Sequence, residues 1–281
     1  MAFDISIRRM VEQAGMHTWY PKLEFVYNRK QIPIKDFMSL VRSDTGAVIR
    51  NYPNGTAPKR ILTYSDLSSI GDMLLSSRGG ECVSASVLDE GKKQYLEFAF
   101  SGTTLMQEND ELCDTLVLAH DVYENTIEAH CLIRRYANEC YLPFLRTVPI
   151  DLDTSYEDEI APIFKVMHAN FERLNEAMLT TISAMAFVKA TLETVLYGNS
   201  FEVGKAVGIC RDIIIAEIEQ KETVSVLTKW NIYCMIDQFI TESLPRPLME
   251  NEDADINLNA ALWAPTRDLK VQVFECLSTE V

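Results

Sequence analysis

Eight cations and two tyrosines have the types and spacing that suggest chemistry in this sequence: Arg42, Arg50, Lys59, Arg60, Lys92, Lys93, Arg134 and Arg135, with Tyr95 and Tyr136 nearby. Basic side chains interleaved with aromatics on a curved sheet make a platform for a single strand, because phosphates meet Lys/Arg while bases stack on rings. For any one of these residues, scattered surface charge is the simpler account.

Other constellations carry less. His120-Asp121 has the residue types of a metal-dependent phosphohydrolase, but such a centre needs further His and Asp, and only His17, His130 and His168 remain. A strand-end His beside a turn Asp accounts for the pair. Asp151, Asp153 and Glu157–Glu159 could pair around Mg²⁺, yet acidic residues also suit the positive end of a helix dipole. No Ser or Cys lies in a nucleophile elbow and no phosphate-loop motif occurs. Gly79-Gly80 reads as a helix C-cap rather than a phosphate cradle. No catalytic residue, metal site or cofactor is assigned.

Composition narrows the class. The 281 residues carry 47% hydrophobic and 24% charged side chains, as in globular proteins. The chain contains no apolar run long enough for a membrane span and no apolar leader, so a cytoplasmic protein is expected. Seven scattered cysteines (Cys82, Cys113, Cys131, Cys140, Cys210, Cys234, Cys276) form no CxxC pair and read as small buried hydrophobes in a reducing compartment. The net charge of −15 argues against a generic polyanion binder. It is unevenly placed, however. Residues 1–62 hold ten Lys/Arg against five Asp/Glu, a balance of +5, and the remainder balances at −20. A basic N-terminal segment on an acidic body can present a local positive groove.

The elements that must position these residues fall in two halves. Residues 4–15 predict a short helix. A Pro-punctuated stretch follows, and within it Phe37–Val41 and Ala47–Asn51 flank the turn Ser43-Asp44-Thr45-Gly46 as a hairpin. Ser65–Ser76 predicts a helix capped by Ser65, with Ile70, Met73 and Leu74 inward. Strands are expected at Cys82–Leu88, Gln94–Phe100, Cys113–His120 and Thr126–Arg135, with Gly91 free to take a positive φ in the first turn. A five-residue loop Asp121–Asn125 sets His120 opposite Thr126 and Val117 opposite Ala129. Val117, Ala119, Ile127, Ala129, Cys131 and Ile133 then share the core face, opposite Leu116, Leu118, Glu128, His130 and Arg134. Arg135 falls on the core side, so the strand should end there or Arg135 should meet an acceptor.

Pro143–Asp153 reads as an extended crossover. Beyond it, Phe164, Met167, Phe171, Leu174, Met178, Ile182 and Met185 recur at helical spacing. They predict a helix from near Asp158, with Pro162 in its first turn, towards Leu196. Further helices are expected at Phe201–Gln220, Thr223–Glu242 and Thr266–Leu277. The fold class expected is therefore α+β: an antiparallel β-meander in residues 1–150 packed with a mainly helical lobe, residues 151–281. Met167, Met178 and Met185 suit core or oligomer contacts.

Three short motifs carry a resemblance: Arg42-Ser43-Asp44-Thr45-Gly46, Gly91-Lys92-Lys93 and Thr228-Lys229-Trp230. Over about residues 36–242 the chain resembles a phage- and plasmid-related family of unassigned function. It departs at Arg135-x-x-Asn138-x-Cys140-x-Leu142, where that family has Cys and Asn exchanged. Ligand chemistry would not survive such an exchange, which argues against a metal or catalytic role for either residue. The resemblance implies origin in a mobile element and a bacterial cytoplasmic setting.

Two functions from different classes follow as expectations. The first is nucleic-acid handling, with single-stranded DNA bound or annealed in replication or recombination; phage annealing proteins share this broad layout by fold-level analogy. The second is a non-enzymatic interaction protein that forms homo-oligomers through its amphipathic helices or binds and inhibits a host protein.

Overall fold

In the computed structural model, the described residues are 4–107, 110–135, 140–150 and 156–179, together with 181–182, 227–228, 233–234, 237 and 270. The chain opens with helix α1 (Ile5–Gln13), whose N-cap Asp4 accepts from the Ser6 backbone at 2.8 Å. Ile7 and Val11, four residues apart, form its buried stripe. Strands β1 (Pro21–Tyr27), β2 (Pro33–Arg42) and β3 (Val48–Tyr52) make an antiparallel three-stranded sheet in that order. The expected hairpin is its β2–β3 half. Strand β1 was unforeseen, although Leu23, Phe25 and Tyr27 alternate through it.

Helix α2 (Tyr64–Arg78) begins one residue before the predicted cap Ser65, and its true cap lies two residues before Ser65. Thr63 holds the N-cap position, and Asp66 Oδ2 accepts from the Thr63 backbone at 2.8 Å. The capping box uses a carboxylate three residues on, which Ser65 lacks. At the other end Gly79 takes φ 74° and donates to the Leu75 carbonyl, as a C-cap does.

Strands β4 (Glu81–Leu88), β5 (Lys93–Gln107), β6 (Asp110–Asp121), β7 (Thr126–Arg135) and β8 (Cys140–Pro149) form a five-stranded antiparallel meander. The expected crossover at Pro143 is thus largely a fifth strand paired to β7. Helices α1 and α2 lie against β4, β5 and β6, and α3 (Tyr156–Leu179) lies against β7 and β8. Leu96, Phe98, Leu116, Leu118, Ile127, Ala129 and Cys131 meet Ile7, Leu67, Ile70, Leu74, Ile163 and Met167 in one core. Helix α3 starts two residues before Asp158, which puts Pro162 inside the helix beyond the first turn.

The β6–β7 register differs from the sequence reading by one residue. Asp121 pairs Thr126 and His120 pairs Ile127, so Val117 faces His130 and Leu118 faces Ala129. Only four residues, 122–125, form the loop. Asn125 closes it at φ 59°, a conformation that Asn tolerates, and its side chain holds Leu62 N at 2.8 Å and the Arg60 carbonyl at 3.0 Å. A one-residue slip exchanges faces. Leu116 and Leu118 therefore belong with Ile127, Ala129 and Cys131, while Val117 and Ala119 lie on the opposite face with Tyr95 and Leu132. Both faces are buried.

The expected division into a β lobe and a mainly helical lobe is corrected as well. Among the described residues strands predominate, with three α-helices. Helix α3 ends at Leu179, far short of Leu196, and Ile182 lies in strand β9 (Thr181–Ile182). Its partner β10 (Leu227–Thr228) falls within the expected third helix. The sequence there is rich in β-branched residues: Thr180, Thr181 and Ile182, then Val224 and Val226. Such residues fit pleated backbone better than helix, and apolar spacing alone does not register that preference. The expected helix Phe201–Gln220 lies outside the described residues.

Candidate functional site

The two sheets meet through two of the candidate arginines. Arg42, at the end of β2, takes Asp44 in a two-point grip (3.1 and 2.9 Å), lies 4.3 Å from the Trp19 ring centroid and donates to the Glu90 carbonyl in the β4–β5 turn. That turn closes on Gly91 at φ 94°, where a Cβ would fall 2.3 Å from Trp19 Cζ2. Arg50, on β3, donates to the Tyr123 carbonyl at 2.9 Å and to Glu124 at 2.8 Å in the β6–β7 loop, its guanidinium stacked on Tyr123 and Tyr52. Trp19, Leu40, Tyr52 and Val122 are buried between these contacts. Both arginines join parts of the fold.

The other candidates divide. Arg60 pairs with Asp66 at the start of α2, and Lys92 Nζ lies 3.4 Å from Asp89. Lys59 is exposed. Lys93 shares a sheet face with Tyr95 and, through the cross-strand register, with Arg134. Tyr95 is 2% exposed and so offers no ring to a base. Arg134 is 28% exposed and faces Glu97 at 3.5 Å, a carboxylate buried on the sheet. Glu97, Val117 and His130 form one row across three strands, and His130 lies 3.6 Å from Glu128. The platform expected on this sheet is thus a buried polar layer. Arg135 is the last described residue of β7, and Cys140 begins β8 opposite it. Tyr136 and Asn138 lie outside the described residues.

The His120-Asp121 pair is split by the register. Asp121 accepts from the Glu124 backbone at 2.9 Å, closing the loop. His120 points into the core, 3.3 Å from Gln94 Oε1, and burial pushes its pKa down to about 4. Six residues away on the same face, Asp114 is buried and its carboxyl is pushed up to about 7 by desolvation, which the charge of Arg78 partly offsets. Arg78 stacks on Phe100 and Phe164. Burial raises the thiols of Cys82 and Cys131 to about 12, leaving them unreactive. Among the described residues, no group of three or more His, Cys, Asp or Glu could hold a metal, and no helix is long and apolar enough to cross a membrane.

The accessible chemistry lies on a part of the chain that the sequence reading passed over. The β1–β2 hairpin is exposed almost throughout Glu24–Asp36. Phe25 and Tyr27 are 56% and 57% exposed and alternate onto one side of β1. At the tip, Asn28 Oδ1 accepts from Lys30 N at 2.8 Å and Ile32 N at 3.1 Å, and Asn28 N donates to the Ile32 carbonyl at 2.9 Å. This turn carries Arg29 and Lys30, and Lys35 follows on β2. Between Phe25–Met38 and Tyr27–Pro33, one residue of β1 stands against four of β2. Asp36 adopts φ 57° in that bulge, and its carbonyl accepts from Gly55 N at 2.8 Å. Arg29, Lys30 and Lys35 have no carboxylate partner among the described residues. The detectable signal was the alternation Leu23-Glu24-Phe25-Val26-Tyr27 running into Asn28-Arg29-Lys30.

No family model matches the chain, and no curated protein or solved structure matches it either.

Proposed function

We propose that the protein handles nucleic acid, binding single strands through the basic N-terminal segment. One observation carries this reading: Arg29, Lys30 and Lys35 are exposed without a carboxylate partner among the described residues, on the hairpin that carries the open rings of Phe25 and Tyr27, and Lys59 is likewise exposed. Cations already neutralised within the chain release few counterions on binding DNA, whereas unpaired ones contribute fully. The motif resemblance to phage- and plasmid-related proteins supports a replication or recombination setting in a bacterial host. Fluorescence anisotropy with a labelled oligonucleotide tests the proposal. Binding at low salt that weakens steeply with added salt is expected, and no binding at low salt would end it.

A second reading is a non-enzymatic assembly protein, acting on itself or on a host protein. The observation favouring it is the exposure of Ile32 and Ile34 on the same hairpin as the aromatics, and of Val48 on β3, since aliphatic side chains serve protein contacts better than stacking. A monomeric mass by light scattering, with no host protein recovered on pull-down, would exclude it.

A further inference from the structure

We infer that the β1–β2 arm is the gripping element and that it selects unpaired bases over duplex, an inference that rests on the nucleic-acid reading above. Three features converge on this partner. Phe25 and Tyr27, two apart on one strand and so about 7 Å apart along its backbone, lie on one side of β1, both open to solvent. A base stacks on such a ring only when its π-face is free, which a duplex denies. The Asn28 turn fixes the backbone at Arg29 and Lys30 beyond the rings, and Lys35 returns along β2. Phosphates on either side of a stacked base therefore meet cations that no carboxylate of the described residues neutralises.

Charge complementarity supplies the direction. The chain beyond residue 62 balances at −20 and repels a polyanion, so the +5 segment is where one is tolerated. Within that segment Arg42, Arg50 and Arg60 are held by Asp44, Glu124 and Asp66. The arm cations, with Lys59 outside the arm, are left to act. A duplex offers only phosphates to Arg29, Lys30 and Lys35 and leaves the two rings unused.

The test uses the full chain, a labelled oligothymidine and a duplex of equal length, read by anisotropy at low and moderate salt. Phe25→Ala/Tyr27→Ala should weaken single-strand binding by roughly tenfold or more while leaving duplex binding unchanged. Arg29→Glu/Lys30→Glu/Lys35→Glu should abolish both. Circular dichroism melting verifies that these exposed substitutions leave the fold intact. Wild-type binding that neither variant alters overturns the inference and leaves the nucleic-acid reading standing. Equal loss on single strand and duplex in the aromatic variant also overturns it. Absence of wild-type binding at low salt removes that reading and the inference together. An arm variant that changes the oligomeric mass by light scattering, with unchanged single-strand affinity, makes the arm an interface between copies instead.

Discussion

The Arg50 guanidinium lies 4.7 Å from the Tyr123 ring centroid and donates to that residue's own carbonyl oxygen at 2.9 Å. The two residues are 73 positions apart, one on the three-stranded sheet and the other in the β6–β7 loop. A cation stacked on a ring and bonded to the backbone beneath it is spent on the fold. Arg50→Ala should therefore lower the midpoint of urea unfolding and leave oligonucleotide affinity unchanged. Arg50→Lys should restore little, because an ammonium lacks the planar fork that makes both contacts. An affinity loss without a stability loss would return Arg50 to the binding surface.

Gly91 closes the other junction between the sheets. At φ 94°, with Trp19 Cζ2 only 2.3 Å from the place of a Cβ, any side chain both strains the backbone and displaces the indole. Gly91→Ala should cost about 2–4 kcal/mol, seen as a lower melting temperature by circular dichroism. Gly46→Ala tests specificity: it shares a positive φ of 71° but has open space at the Cβ, so its cost should be smaller.

Glu97 is buried at 3.5 Å from Arg134, which remains partly exposed. Arg134→Ala should destabilise by about 2 kcal/mol or more, because a carboxylate is left without its guanidinium. Glu97→Gln/Arg134→Met should recover much of that loss, since removing both charges removes the uncompensated one. A double-mutant cycle by chemical denaturation reads the coupling directly. Additive effects would show that the pair is incidental.

Asp114 and His120 pull stability in opposite directions with pH. The carboxyl of Asp114 is raised from 3.8 to about 7, so the folded state holds its proton while the unfolded state releases it. Its effect is a loss of stability as pH climbs from about 4 to 7, on the order of 4 kcal/mol in all. His120, lowered from 6.5 to about 4, acts the other way. Its contribution is full above 6.5 and is lost as pH falls towards 4. The two should largely cancel in the wild type between pH 4 and 6.5. Asp114→Asn should gain stability with rising pH over that window and exceed the wild type at pH 8. His120→Gln should lose stability with rising pH. Parallel pH profiles for all three proteins would contradict both shifts.

Much of the fold is legible in the sequence where the controlling interactions are local. The Asp44–Gly46 reversal, the Gly79 cap and the period-2 runs Cys82–Leu88 and Thr126–Arg135 each depend on a few consecutive residues, and each stands where the sequence puts it. The β1–β2 arm was missed because prolines at 21 and 33 masked an alternation that an exposed arm tolerates. Pro21 begins β1 and Pro33 begins β2, where a missing N–H costs least.

The sequence by itself determined the β2–β3 hairpin and strands β4 to β7, where the first two helices lie and that positive charge gathers near the N-terminus. Only the tertiary structure decided which faces those strands bury and which cations remain available. Asn125, reaching back to Arg60 and Leu62, shortened a loop by one residue and exchanged Val117 for Leu118 in the core. Glu90 and Glu124 drew Arg42 and Arg50 into junctions between sheets, and burial removed Tyr95 from any ligand. The physical reason is common to these cases. Side-chain periodicity encodes a pattern of burial, but its phase and the pairing of charges are fixed by partners tens of residues away along the chain.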